Sequence, residues 1–262
     1  MVITHSYATL RRGNEDGAIY NYELTIQHSL YTEFKPDMLR IALNNVGVMH
    51  WKKKGNIKQG LHAFTEGLKL APDNYALNAN IGEVYSKLGK FNLAIKHYKV
   101  AQAKKPNESA DLLNNLAIAI YQKNVEKGGE KRGNLVLPKL ISLYEKGINI
   151  NKYHYNSNLN LAKILYRKKQ FEKVVTHLNH ALKDKQVKEN EKNYVEVYDL
   201  LGRAYLRTHQ YKSAIKILKM GIDQLQKRHH DGKKTKKVHR DDQINRVLRR
   251  LQGNLEAAKS AV

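Results

Sequence analysis

A 34-residue unit recurs along this 262-residue chain, and it constrains the fold more than any other feature. When residue 48 onward is laid over residue 82 onward, Trp51 falls on Tyr85, Gly55 on Gly89, Phe64 on Tyr98, Gly67 on Ala101 and Pro72 on Pro106, each pair 34 residues apart. Small residues at Gly82, Ala94 and Ala101 let two antiparallel helices cross at close range, and Tyr85, Phe91 and Tyr98 fill the space around the crossings. Gly89 suits a left-handed helix C-terminus and Pro106 ends the second helix. One such hairpin cannot bury its own apolar face, so the copies must stack.

Looser copies fill the rest of the chain. "NLAIAIYQKN" (115–124) supplies a first helix through Leu116, Ala117, Ile120 and Tyr121, and "LPKLISLYEKGINI" (137–150) its second through Leu140, Tyr144 and Gly147. An insertion at about 124–137 separates them. Residues 160–183 repeat the spacing with Ala162, Leu165, Phe171, Val174, Leu178 and Ala181, and residues 200–222 with Gly202, Tyr205, Tyr211, Ala214, Leu218 and Gly221. The expected organisation is a partial hairpin over 1–38, five hairpins over 39–226, a basic loop over 227–240 and a capping helix over 241–262. That last helix has Asp241 and Asp242 at its start and a stripe of Ile244, Val247, Leu248, Leu251 and Leu255.

The composition agrees with an all-α class. Four prolines and 16 glycines leave little room for the many turns of an all-β fold. With no cysteine, disulfides, thiolate zinc sites and a cysteine nucleophile are excluded. No apolar run approaches a signal h-region or a membrane span, so a soluble, cytoplasmic protein is expected. Lys and Arg number 47 against 24 Asp and Glu, a formal net charge of +23, and such a field attracts polyanions and acidic protein segments.

Gly82, Tyr85, Gly89, Phe91, Ala94, Tyr98, Ala101 and Pro106 together resemble the signature of the tetratricopeptide repeat (TPR). The resemblance implies a right-handed α-solenoid of five to six helical hairpins with the C-terminal helix as its cap. Successive second helices, tracked by Ala18, Gly60, Ala94, Leu140, Val174 and Ala214, are spaced 42, 34, 46, 34 and 40 residues apart. The spacings near 42 are similar to the longer-helix repeats of kinesin-light-chain type, and a piece of a longer array is a further reading.

In this family the first helices line a concave groove. Carried over by position, the groove would hold Trp51 with Val48 and Lys52, Lys87 with Glu83 and Ser86, and Tyr121 with Ile118 and Gln122. Further along it would hold Lys163, Tyr166 and Arg167, then Arg203 and Arg207 with Leu206. A row of Asn45, Asn80, Asn115 and Asn160 is similar to the asparagine ladder with which TPR proteins hold the main chain of an extended peptide, and Leu200 breaks it. The two-carboxylate clamp of chaperone-binding TPRs needs basic residues that are missing beside Asn44, Asn80 and Asn115.

No phosphate loop, HExxH, GxSxG or dinucleotide fingerprint is present, and the histidines are scattered, so neither catalysis, a cofactor nor a metal is expected. What remains is recognition by a non-catalytic adaptor of an extended, acidic partner segment, with arginines one helical turn apart suited to bidentate capture of carboxylates or phosphates. The alternative is an RNA-associated accessory protein whose polyanion contacts are Lys233, Lys234, Lys236, Lys237 and Arg240. Self-association through the truncated first repeat is a third expectation.

Overall fold

The computed structural model describes residues 15–29, 36–107, 109–184, 195–232 and 238–262, and those residues are helical with no strand among them. They divide into two compact units between Val136 and Leu137. In the N-terminal unit the helices are α1 (Glu15–Ser29), α2 (Pro36–Val48), α3 (Ile57–Leu70), α4 (Tyr75–Lys87), α5 (Phe91–Lys104) and α6 (Ala110–Leu135). In the C-terminal unit they are α7 (Leu137–Ile150), α8 (Tyr155–Arg167), α9 (Phe171–Ala181), α10 (Val195–Arg207), α11 (Tyr211–Gly232) and α12 (Val238–Ser260). Within each unit every helix packs on the next, and alternate helices also touch: α2 with α4, α4 with α6, α8 with α10 and α10 with α12. That double contact is how stacked hairpins bury a face that none can bury alone.

The crossings are made by a small residue on each first helix against a large one on the second. A Cβ on Gly82 would lie 2.6 Å from the Tyr98 ring, one on Gly47 2.6 Å from Phe64 and one on Gly202 2.4 Å from Leu218. All three large partners are buried. Ala162 and Leu178, also fully buried, occupy the same places in α8 and α9. Burial leaves the Tyr98 and Tyr144 hydroxyls costly to ionise and pushes both up to about 12.

Four of the hairpin turns each use one left-handed residue. Gly55 and Gly89 supply it in the second and third hairpins, but Lys169 (φ 59°) and His209 (φ 58°) do so in the later two. The closing bonds are alike: Lys90 N donates to Tyr85 O at 2.9 Å, Gln170 N to Leu165 O at 3.0 Å and Gln210 N to Tyr205 O at 2.8 Å.

One turn of π-helix, Met49–Lys53, follows α2 and inserts an extra residue before Gly55. The equivalent closing bond consequently spans one residue more, from Asn56 N to His50 O at 2.7 Å. It also explains why Gly47, not Val48, takes the place of Gly82 against its aromatic partner.

The stretch expected to be an insertion is helical on both sides of a break at Gly128 and Gly129, where Gly129 adopts φ 63° and ψ −165°. After the break Gly133 seats against Tyr121 and Val125. The stretch 227–240, expected to be a loop, differs as well: α11 continues to Gly232 and α12 begins at Val238. Polar composition had concealed the helix, because a surface helix needs only one apolar stripe.

Candidate partner-binding face

The first helices of the C-terminal unit carry the densest set of expected site residues. On α8, Tyr166 packs edge-on against Phe171, with ring centroids 5.2 Å apart. The guanidinium of Arg203 on α10 lies over the Tyr166 ring at 5.1 Å, a cation–π contact that joins the two helices. Arg203 Nη2 also donates to Asp199 Oδ2 at 3.1 Å. Asp199 is 1 % exposed, and it is further held by Arg250 Nη2 at 3.1 Å and by Asn254 Nδ2, which donates to Oδ1 at 3.2 Å. A buried carboxylate requires such partners.

Lys163 is paired across the helices with Glu196 at 2.8 Å. Arg167 and Arg207, by contrast, are exposed and take part in no ion pair among the described residues. Two guanidiniums share the one charge of Asp199, so the face keeps an excess of positive charge despite the internal pairing. Arg203 Nε is buried without a hydrogen-bond acceptor, a cost offset by the contacts the rest of the guanidinium makes with Tyr166 and Asp199.

Chemistry on the N-terminal unit is different. Asn80 Nδ2 donates to Asn44 Oδ1 at 2.9 Å, and Asn44 Nδ2 donates to Asn45 Oδ1 at 3.3 Å, so three amides form a chain from α4 to α2. Asn115 accepts from Asn114 at 3.2 Å, and Asn160 is half-buried on α8. Lys87 is exposed, whereas Lys52 pairs with Glu83 at 3.0 Å and lies 5.0 Å from the centre of the Trp51 ring.

Trp51 itself is 8 % exposed and packs with Phe64, Leu77, Ile81 and Val84, so it belongs to the core rather than to an open groove. The extra residue of the π turn rotates it into the place that Tyr85 holds one repeat later. Tyr121 is half-buried against Gly133 of the insertion. Lys233, Lys234, Lys236 and Lys237 lie outside the described residues, and Arg240 is described only as backbone within α12.

Several residues of consequence carried no periodic signal in the sequence: Asn44, Glu196, Asp199, Arg250 and Asn254. A second set is structural. Asn78 Nδ2 donates to Pro72 O and Asn74 O, both at 2.9 Å, and its Oδ1 meets His97 Nδ1 at 2.8 Å. Asn158 repeats this with Lys152 O at 3.0 Å, His154 O at 2.9 Å and His177 Nδ1 at 3.0 Å. Because both amide protons are committed, the network assigns the ring proton to Nδ1 in each histidine. Burial holds both imidazoles below the usual histidine range. The equal spacing of Asn78–His97 and Asn158–His177 was the signal that could have revealed the pairing.

Among the described residues no helix is long and apolar enough to cross a membrane, and no cluster of His, Cys, Asp or Glu could hold a metal ion. No curated protein matches the chain in sequence. A tetratricopeptide-repeat family model matches residues 76–110, which are the hairpin α4–α5 and the turn that follows it. Three solved structures share the fold. PilF of Pseudomonas aeruginosa is 13 % identical with a TM-score of 0.64, covering 84 % of this chain and 88 % of its own. A tetratricopeptide repeat protein of Parabacteroides merdae is 12 % identical with a TM-score of 0.57, covering 96 % and 97 %. YrrB, described as a TPR protein with an unusual peptide-binding site, is 14 % identical with a TM-score of 0.51, covering 78 % and 91 %.

Proteins built on this fold generally mediate protein–protein interaction and generally act as non-catalytic scaffolds. A tetratricopeptide repeat is thus matched in sequence over residues 76–110, and the chain as a whole shares with these structures an all-α fold of stacked helical hairpins.

Proposed function

We propose that the chain is a scaffold that holds an extended, acidic segment of a protein partner, with the charge of that segment read by the C-terminal unit. The observation that carries this reading is the pairing of Arg203 with both the Tyr166 ring and the buried Asp199, beside the exposed Arg167 and Arg207. A guanidinium fixed on two sides loses little side-chain freedom when it takes up a ligand. Tyr166 offers an apolar ring edge next to those charges, the combination common at binding hot spots. The peptide-binding site described for YrrB, on the same fold, adds support for a peptide as the partner's form. In the N-terminal unit the amides of Asn80, Asn45 and Asn115 offer neutral donors and acceptors to a peptide main chain.

The test uses a fluorescently labelled Asp- and Glu-rich peptide, with a neutral peptide of the same length as control. Arg167→Glu combined with Arg207→Glu changes only exposed side chains and leaves the Asp199 network intact. The double variant is expected to weaken acidic-peptide binding more than about tenfold while its circular dichroism stays that of the parent. Equal binding by parent and variant would sink the basic-face reading.

A further inference from the structure

We propose that the C-terminal helix α12 is part of the binding face and not only its cap, and that Arg250 and Arg203 jointly take one carboxylate of the partner. This deepens the acidic-segment reading and rests on it. α12 buries Leu251, Leu255 and Ala258, which dock it on the C-terminal unit. Its next flank carries Arg250 and Asn254, one helical turn apart, and both reach Asp199 on α10. The helix is therefore held in register by a specific polar contact in addition to apolar burial.

Asp199 brings the two guanidiniums together. Arg203 and Arg250 each place Nη2 at 3.1 Å from the same oxygen, Oδ2, and they approach it from different helices. Two positive groups this close repel one another unless an anion lies between them, and a single carboxylate offsets only one of the two charges. Asp199 is 1 % exposed, so its lone pairs are spent on these partners, whereas the side chains of Arg203 and Arg250 remain 36 % and 53 % exposed. Their outward N–H groups are thus left beside each other with a net charge of one. A partner carboxylate set against them completes an alternation of two cations and two anions, a geometry suited to forked donors. Tyr166 on α8, Arg203 on α10 and Arg250 on α12 then form one row over three neighbouring first-layer helices, since α8 touches α10 and α10 touches α12. Asp199 is a positioning residue for both arginines.

The carboxylate has two sources, an Asp or Glu side chain or the partner's C-terminus. The experiment measures binding of the full chain to the labelled Asp- and Glu-rich peptide, in free-acid and C-terminally amidated forms, by fluorescence anisotropy. Arg250→Ala, Arg203→Ala, Arg207→Ala and Arg249→Ala are compared at one salt concentration. Arg249 is the neighbouring exposed cation, so its removal costs the same formal charge without touching Asp199.

Arg250→Ala is expected to weaken binding about as much as Arg203→Ala, roughly five- to tenfold, with Arg249→Ala under about twofold. The combined Arg203→Ala and Arg250→Ala change should cost less than the product of the two separate losses. Arg250→Gln keeps a donor for Asp199 and serves if truncation perturbs the helix, and it should weaken binding similarly. Amidation that abolishes the Arg250 effect assigns the site to a terminal carboxylate, and amidation without effect assigns it to a side chain. Arg250 variants no weaker than Arg249→Ala, alongside a clear Arg203 and Arg207 loss, would overturn the role of α12 and leave the basic-face reading standing. Silence at Arg203, Arg207 and Arg250 together overturns both.

Discussion

The hairpins α4–α5 and α8–α9 have the same interior and different exteriors. Both lock an asparagine of the first helix to a histidine of the second, and both seat a small residue, Gly82 or Ala162, on a large one, Tyr98 or Leu178. On the open side, however, α4 offers Asn80, Glu83 and Lys87, with Glu83 neutralising Lys52 of the preceding hairpin. The open side of α8 offers Lys163, Tyr166 and Arg167, next to Arg203 of the following one. Stacking dictates the inward positions of every copy, so they recur. The outward positions face no such demand and are where two copies of one unit acquire different chemistry.

If the interiors are equivalent, breaking either should cost the same. Asn78→Ala or Asn158→Ala removes an amide that satisfies two backbone carbonyls and one imidazole, and each is expected to destabilise the protein by about 2–3 kcal/mol in urea unfolding. A loss at one site and not the other would break the comparison.

Next in size is Gly202→Ala, whose Cβ would stand 2.4 Å from Leu218 and force the hairpin apart. An increase in urea sensitivity of about 1–3 kcal/mol is expected there, against a gain of about 0.5–1 kcal/mol for Gly253→Ala, where nothing lies within 4 Å and the helix interior favours alanine.

Acid should act on both locks alike. The folded state disfavours protonation of His97 and His177, so the stability tied to their neutral form is complete above the ordinary histidine value of about 6.5 and is lost as pH falls below it. Melting temperature is thus expected to hold above neutrality and to decline through the acidic range, less steeply in a His97→Gln, His177→Gln variant. A variant with the parent's acid slope would assign that decline to other groups.

The smallest effect separates the hairpins by their turns. Lys169 pays for a left-handed backbone that Gly89 adopts freely, so Lys169→Gly should raise stability by about 0.5–1 kcal/mol. Gly89→Lys should lower it by a similar amount, and a null result for both would remove the turn from the comparison.

Much of the fold was legible in the sequence, because the 34-residue period, the small-on-large spacing and the turn residues are all set by how consecutive helices of one unit meet. The candidate face was legible only in part. Tyr166 and Arg203 are half-buried, and Arg167 and Arg207 exposed, on α8 and α10, where each helix's repeat spacing leaves them outside the apolar core. Trp51 is not left outside it, since one extra residue in a π turn shifts the register by a whole side chain and places the ring in the core.

By itself the sequence determined that this chain is a stack of helical hairpins with a basic surplus, since periodicity and charge are properties of the order of residues. Only the tertiary structure decided which of those charges are committed. Lys163 meets Glu196 and Arg203 meets Arg250 through Asp199 across helices that no repeat rule pairs, whereas Arg167 and Arg207 stay exposed. A charge is spent or available according to what packs beside it, and for residues this far apart along the chain, packing alone brings them within reach.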